Sequence, residues 1–328
     1  MKRSLNSDFF KKNMDTTERK NLSLQIKKKI HEAGFDICGI ARVRALRERE
    51  PVIREWLEAG MNDRMGYLAR ETEKRFNPDL VFPGTKSLVV AGISYYSEIR
   101  QKGKGVPVLS RYTYGMDYHS VIVPKLEKIL DFIKIMMPEA EGRAFCDTGF
   151  FHEKSWISEA GLGWQGRHSI TISKEIGSFF FIGILMLNIE LDYDEPFKGE
   201  KCGSCRLCID ACPTGAINEN RTIDARKCIS NRTIENRGPI PEEIVPKLGG
   251  RVYGCDLCQE VCPWNKNIEP NSHPEFTINE KVANMTREEW QSLTEDQFNE
   301  YFSKTALVRI KFPDFKRNIE AAFRSMRS

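Results

Sequence analysis

Apolar positions recur at helical spacing in several stretches of the chain. Leu22, Ile26 and Ile30 precede Gly34 and predict a helix over roughly 21–33. Ile122, Leu126, Ile129, Leu130 and Ile133 mark one face of a second helix that stops before Pro138. His152 to Ala160 reads as a short helix closed by Gly161 and Gly163, and Leu307 to Phe323 returns to helical spacing near the end. Between these the pattern is β-rich. Ser87 to Tyr95 (SLVVAGISY) reads as a buried strand, and Ser169 to Ser173 and Phe179 to Leu191 as two strands joined by a turn at Gly177. Mixed helices and strands predict an α+β domain over 21–195, preceded by a basic, flexible N-terminus over 1–20. Apolar periodicity then lapses from Lys201 to Trp264, where cysteines take over. A cluster-binding domain is expected over 196–270 and a helical segment packing back on the body over 271–328.

A length of 328 residues suits about two domains, and 40% hydrophobic with 29% charged residues is an ordinary soluble composition. The net charge of +4 is mild, but its distribution is uneven. Residues 1–30 hold nine Lys/Arg against Asp8, Asp15 and Glu18, and residues 301–328 hold seven against Asp314 and Glu320. Basic ends suit a polyanion such as RNA, although such charges are also common on solvated surfaces. The N-terminus has no apolar secretory core, and Phe179 to Leu187 is too short to span a bilayer, so a cytoplasmic protein is expected. In that reducing compartment ten cysteines point to metal before disulfides.

The cysteine spacing carries chemistry. Cys202-Gly-Ser-Cys205-Arg-Leu-Cys208-Ile-Asp-Ala-Cys212-Pro213 follows the bacterial-ferredoxin pattern, and Cys255-Asp-Leu-Cys258-Gln-Glu-Val-Cys262-Pro263 is a second, shortened run with Cys228 between them. In such runs three close thiolates wrap one cubane and the cysteine before proline ligates the other. The crossover gives two [4Fe–4S] clusters. The first is held by Cys202, Cys205, Cys208 and Cys262, the second by Cys212, Cys228, Cys255 and Cys258. C-x2-C pairs also bind structural zinc, but the complete first run with its proline favours iron–sulfur. Cys38, in the apolar stretch FDICGI, reads as a small buried hydrophobe. No dinucleotide-binding G-x-G-x-x-G stands out before Lys201 and no phosphate loop is present, so spacing alone does not identify what receives the electrons.

Three further stretches resemble the epoxyqueuosine reductases. They are Tyr114-Gly-Met-Asp-Tyr-His119; Phe145-Cys-Asp147-Thr-Gly-Phe-Phe-His-Glu-Lys with Ala160-Gly-Leu-Gly-Trp-Gln-Gly-Arg-His168-Ser; and Asp224-Ala-Arg-Lys-Cys228-Ile-Ser-Asn-Arg-Thr-Ile-Glu with Arg251-Val-Tyr-Gly-Cys255. The resemblance runs from about residue 21 to the end. It implies a nitroreductase-like cobalamin domain with a ferredoxin-like module, and reduction of the epoxide of epoxyqueuosine at the tRNA wobble position to give queuosine. Some members of that family carry a C-terminal helical-repeat extension, and a short form without it is expected here.

Position by position, the resemblance implies Asp147 as proton donor. A departing epoxide oxygen needs protonation, and a carboxyl desolvated beside cofactor and substrate keeps its proton more readily. It implies cobalamin contacts at Arg75, Ser110, Asp147, Thr171, Ile182, Ser230, Cys255 and Asp256. That places the second cluster beside the corrin and the first toward an external low-potential electron donor. His119 and His168 fall in shared motifs and read as satisfied buried histidines. Cys146 stands where an apolar residue is expected. The tRNA anticodon arm is expected to lie on the basic ends and on the loops around Arg226 to Arg237, with the wobble base splayed out to reach a recessed cofactor. A monomer is expected. Two other readings share features with this one: a cobalamin-dependent reductive dehalogenase, and a ferredoxin-type electron carrier with no substrate site of its own.

Overall fold

The structure, a computed structural model, describes residues 14–327. Its first helix, α1 (Thr16–Glu32), starts before the position that apolar spacing predicts. A capping box explains the difference. The Asp15 carboxylate accepts the Glu18 N–H at 2.8 Å, and the Glu18 carboxylate accepts the Asp15 N–H at 3.0 Å. Residues 16–20, expected in the flexible N-terminus, are therefore helical. The part of that expectation falling on residues 1–13 lies outside the described residues.

The chain continues through β1 (Ile37–Arg42), α2 (Glu50–Glu58), α3 (Thr72–Phe76), β2 (Ser87–Ser94), β3 (Val108–Leu109), α4 (Tyr118–Met136), β4 (Gly142–Phe145), α5 (Glu153–Glu159), β5 (Trp164–Gln165), β6 (Thr171–Ile172) and β7 (Phe180–Leu187). One antiparallel sheet runs in the order β1-β2-β7-β4. Side chains alternate across it. Val89, Ala91 and Ile93 of β2 and Phe181, Leu185 and Leu187 of β7 share one core with Leu22, Ile26 and Ile30 of α1 and Ile122, Leu126 and Ile133 of α4. Leu88, Val90, Ile184 and Met186 share the other with Trp156 and Ile157 of α5. Both faces are buried, which is why β2 and β7 read as unbroken apolar runs. Two glycines allow the helices to close on the sheet. A Cβ at Gly183 would lie 2.7 Å from Ile122 Cγ2, and one at Gly39 would lie 2.1 Å from the Ala160 carbonyl oxygen.

One expected pairing differs. The turn at Gly177 forms, with a bridge from Ser173 to Gly177, but β6 does not pair with β7. It pairs with β5 in a separate ribbon, where Trp164 and Ile172 are buried together with Cys262. That packing draws β6 away from the main sheet.

The cysteine-rich segment has little regular structure: α6 (Leu207–Asp210), α7 (Ile229–Ile234), β8 (Arg251–Tyr253) and α8 (Leu257–Glu260). β8 pairs in parallel with β3, tying this segment to the first domain. The C-terminal helices α9 (Glu280–Asn284), α10 (Arg287–Gln291), α11 (Glu295–Phe302) and α12 (Phe312–Ser325) bury Trp290, Phe298, Phe302 and Phe315 in one core with Val252 and Tyr253 of β8. They brace the strand that leads directly into Cys255. The architecture is α+β, with helices on both faces of the antiparallel sheet.

Candidate active site

All ten cysteines are free of disulfides. Eight lie in the second module, and the fold sorts them into two groups. The charged neighbours of the Cys262 thiol are Cys202, Cys208 and Cys205. Those of Cys258 include Cys255, Cys228 and also Cys208, and Cys228 is in turn beside Cys212. The members of the two expected sets thus lie near one another in the fold, with Cys208 and Cys258 adjoining across them. Backbone N–H groups are turned toward these sulfurs. Ala216 N–H donates to Cys212 Sγ at 3.4 Å, and the N–H groups of Ile209, Asn231, Ser230, Leu257 and Trp264 stabilise the thiolates of Cys208, Cys228, Cys255 and Cys262. Such bonds suit thiolate ligands of an iron–sulfur cluster.

Asp147 heads the loop between β4 and α5. Its backbone is left-handed, φ 57°, a conformation that aspartate tolerates better than most residues. Two side chains hold it there. Its N–H donates to Glu153 Oε1 at 2.7 Å, and its Oδ2 accepts the Tyr118 hydroxyl at 2.8 Å. Tyr118 is fixed by stacking on Phe181, 4.3 Å between centroids, and on His119, 4.1 Å. Burial, then the Asp147 charge, raises the Tyr118 pKa, so the phenol keeps its proton and remains the donor. Burial, followed by the Asp147 charge, also pushes the Glu153 carboxyl well above the usual carboxylate range. The Asp147 carboxyl itself is 65% exposed. The desolvation expected for it has to come from whatever binds over it.

His119 is not the buried histidine expected. Its Nδ1 lies 2.6 Å from Asp117 Oδ1, and its Nε2 lies 4.0 Å from Asp147 Oδ2, so it flanks the acid. His168 is buried, but only half satisfied. Its Nδ1 accepts the Ile170 N–H at 3.2 Å, while its Nε2 has no partner. Burial pushes the His168 pKa down to about 4, which keeps it neutral. Cys146 is buried next to Asp147 and its thiol is raised by that burial, as is Cys38, to about 12.

Lys154 joins the acid to the second cysteine group. It reaches solvent, yet its charged neighbours are Asp147, Cys258 and Glu153, and the surrounding protein lowers its pKa. Its ammonium donates to the Ser169 carbonyl at 3.2 Å. Asp147 and Cys258 are thus both electrostatic neighbours of Lys154. Tyr67, whose ring carries Arg309 at 5.7 Å, is also among the groups that feel Asp147. Sequence reasoning missed Tyr118, Glu153, Lys154 and Tyr67. The first three lie inside motifs it singled out, but nothing in their spacing marks them as partners of Asp147.

The expected cobalamin contacts fall into separate places. Arg75 is buried, donates once to the Tyr67 carbonyl at 2.8 Å and leaves its Nε without a partner. No carboxylate among the described residues pairs with it, and burial lowers its pKa. An unpaired, partly buried guanidinium of this kind can hold an anionic or carbonyl oxygen. Ser110 and Asp256 are brought together but spend their polar atoms on each other. The Ser110 hydroxyl donates to Asp256, whose other oxygen accepts the Arg111 N–H at 2.8 Å. With Cys255 they line a cavity of about 320 Å³ that Asp147 does not reach. Ser230 offers its N–H to Cys228, Thr171 is buried on β6, and Ile182 is partly exposed on β7. The basic loop is largely neutralised. Arg226 pairs with Asp224 at 2.8 Å, Arg232 with Asp63 at 3.2 Å and Arg237 with Asp314 at 3.7 Å.

Residues 201–265 match the family model described as "4Fe-4S double cluster binding domain", and residues 75–148 match that described as "Epoxyqueuosine reductase QueG, DUF1730". The chain is 40% identical over 304 residues to the epoxyqueuosine reductase of Cellulophaga algicola, covering 93% of this chain and 98% of that protein. It is 37% identical to that of Prochlorococcus marinus, covering 92% and 97%. A crystal structure of an epoxyqueuosine reductase with an epoxyqueuosine-modified tRNA-Tyr stem loop superposes with a TM-score of 0.86 at 27% identity, covering 93% of this chain and 82% of that one. A Bacillus subtilis epoxyqueuosine reductase whose catalytic aspartate loop is swung out of the active site gives 0.85 at 27%, with the same coverage. Likeness on this scale runs through the Asp147 loop and the cysteine module alike, and the chain therefore belongs to the epoxyqueuosine reductase family.

Proposed function

We propose that this chain reduces the epoxide of epoxyqueuosine in the wobble position of tRNA to give queuosine, with Asp147 as the proton donor. The observation that carries this reading is the Asp147 loop. It is held in a left-handed turn by Glu153 and Tyr118, with Lys154 as a common electrostatic neighbour of Asp147 and Cys258, in a chain 40% identical to a named epoxyqueuosine reductase. The reaction removes one oxygen as water and consumes two electrons and two protons. It therefore needs an electron path and an acid at the same place.

The two cysteine sets would hold [4Fe–4S] clusters, which supply single electrons. Arg75, with Thr171, Ile182 and Ser230, would hold cobalamin, which supplies low-potential reduction of an electrophilic carbon. Ser110, Cys255 and Asp256 support the floor of the second cluster loop. Asp147 holds the proton for the departing oxygen on its carboxyl. Tyr118 orients that carboxyl through its hydroxyl, and Glu153 fixes the loop backbone. A base bound over Asp147 expels water from it, which favours the protonated form. Arg70, exposed near Tyr67, would meet phosphates of an anticodon arm.

The test is Asp147→Asn, which preserves size and the acceptor for Tyr118. It lowers turnover of epoxyqueuosine-containing tRNA by about 10²–10⁴-fold while iron content and tRNA affinity stay at wild-type values. Wild-type turnover by this variant would refute the assignment.

A further inference from the structure

Buried polar atoms without a partner are uncommon, because each costs about 1–3 kcal/mol when left unsatisfied. Three of them lie on one short hairpin, the third being His168 Nε2 beside Arg167. Trp164 Nε1, on β5, and Arg167 Nε, in the turn to β6, are both buried donors with no acceptor in the protein. The same hairpin packs on the first cysteine set. Trp164 is 2% exposed and shares a small core with Cys262, against which Cys202 and Trp264 also pack. Its ring is fixed between Phe197, 5.4 Å away and stacked, and Trp264, 4.8 Å away and edge-on. Arg167 donates from Nη2 to the carbonyl of Gly203 at 2.7 Å, and Gly203 lies between Cys202 and Cys205. Its Nη1 lies 3.6 Å from Glu219. The guanidinium is thus anchored on the cluster loop by its tip, with its inner N–H still unused.

We infer that Trp164 Nε1–H and Arg167 Nε–H donate hydrogen bonds to sulfur atoms of the first cluster and set its reduction potential. The inference rests on the assignment of that cluster to Cys202, Cys205, Cys208 and Cys262. The sulfurs of a thiolate-bound cubane are the acceptors that the two donors lack. Hydrogen bonds to cluster sulfurs favour the reduced, more negative state and raise the potential. Arg167 adds a positive charge in the same sense. Unpartnered indoles elsewhere give a contrast. Trp290 Nε1 is also orphaned, but its core is built from Phe302, Phe315 and other apolar side chains with no cysteine in it.

The experiment is an anaerobic redox titration of the reconstituted enzyme, followed by electron paramagnetic resonance, with the second cluster as internal reference. Trp164→Phe keeps the packing and removes the donor. Its first-cluster reduction constant falls by about tenfold, equivalent to about 59 mV for one electron, while the second cluster stays put. Arg167→Lys keeps the charge and removes Nε, and shifts the same cluster in the same direction. It serves also where Trp164→Phe fails to assemble. Trp290→Phe leaves both potentials unchanged. Unmoved first-cluster potentials in Trp164→Phe and Arg167→Lys, with about eight irons per chain retained, would overturn the inference and leave the cluster assignment standing. Loss of iron in wild-type protein reconstituted alongside would instead point to the assignment.

Discussion

Replacing Glu153 tests how the catalytic loop is held. Asp147 sits at φ 57°, and a non-glycine residue there costs about 1–2 kcal/mol. The bond from Asp147 N–H to Glu153 Oε1, 2.7 Å long, offsets that strain. Such a bond is worth about 0.5–1.5 kcal/mol to a neutral acceptor and about 1.5–3 kcal/mol to an ionised one. Burial and the Asp147 charge raise the Glu153 pKa, so it stays neutral to higher pH than an ordinary glutamate. Glu153→Gln is then a close mimic that keeps the acceptor, whereas Glu153→Ala removes it. The alanine variant loses the bond but keeps the strain, and the loop moves toward the swung-out position seen in the Bacillus subtilis relative. At about 1.4 kcal/mol per tenfold, kcat falls by roughly tenfold in the alanine variant. The loss shrinks as pH rises, because burial and the Asp147 charge disfavour the Glu153 anion in the held loop, so ionisation weakens what Glu153 contributes there. KM for the tRNA holds steady, because the loop does not have to be closed for the stem to dock. The assay is steady-state conversion of epoxyqueuosine-containing tRNA for wild type, Ala and Gln across pH 6.5–8.5. Equal impairment of Ala and Gln, or an undisturbed Ala variant, would refute the reasoning.

Cys228→Ala removes the ligand that completes the second set, so iron falls from about eight to about four per chain and the first-cluster resonance persists; iron analysis with electron paramagnetic resonance checks this. His168 is neutral in the fold, with its pKa depressed to about 4 against about 6.5 unfolded. Stability is therefore retained above pH 6.5 and lost as pH falls toward 4, by about 1.3 kcal/mol between pH 7.5 and 5.5. His168→Gln flattens that part of the stability–pH profile, measured as the anaerobic thermal midpoint. Asp256→Ala removes the acceptor of the Ser110 hydroxyl and of the Arg111 N–H, while the Arg111 guanidinium keeps Glu260 at 2.9 Å. A buried donor left without an acceptor costs about 1–3 kcal/mol, seen as a lowered thermal midpoint.

Local signals were enough for α4, β2 and the double-cluster module, because each depends on spacing within one stretch. Ile122 to Ile133 repeats every turn, and C-x2-C-x2-C-x3-C-P fixes its own geometry. The beginning of α1 was misplaced because Asp15 and Glu18 act through side-chain caps, which apolar periodicity does not register. β6 was assigned to the wrong partner because Ile172 is as apolar as a main-sheet residue and only the contact with Trp164 and Cys262 tells where it goes. β1 and β4, short and interrupted by Gly39 and Gly142, gave no strong strand pattern. At the site, Asp147 came from family likeness. Tyr118 and Glu153 come from opposite sides of it, from α4 and the first residue of α5, and meet it only in the fold. The ion pairs of Arg226, Arg232 and Arg237 with Asp224, Asp63 and Asp314 were not legible either, because these acids are brought beside them from other parts of the chain or from the same loop.

The central claim is settled by incubating the anaerobically reconstituted protein, with cobalamin and a low-potential reductant, with tRNA carrying epoxyqueuosine. Nucleoside mass spectrometry then reads the modified base. Loss of one oxygen from that nucleoside, dependent on cobalamin and lost in Asp147→Asn, is the result expected. An unchanged nucleoside mass, with corrinoid bound and both clusters assembled, would contradict the account.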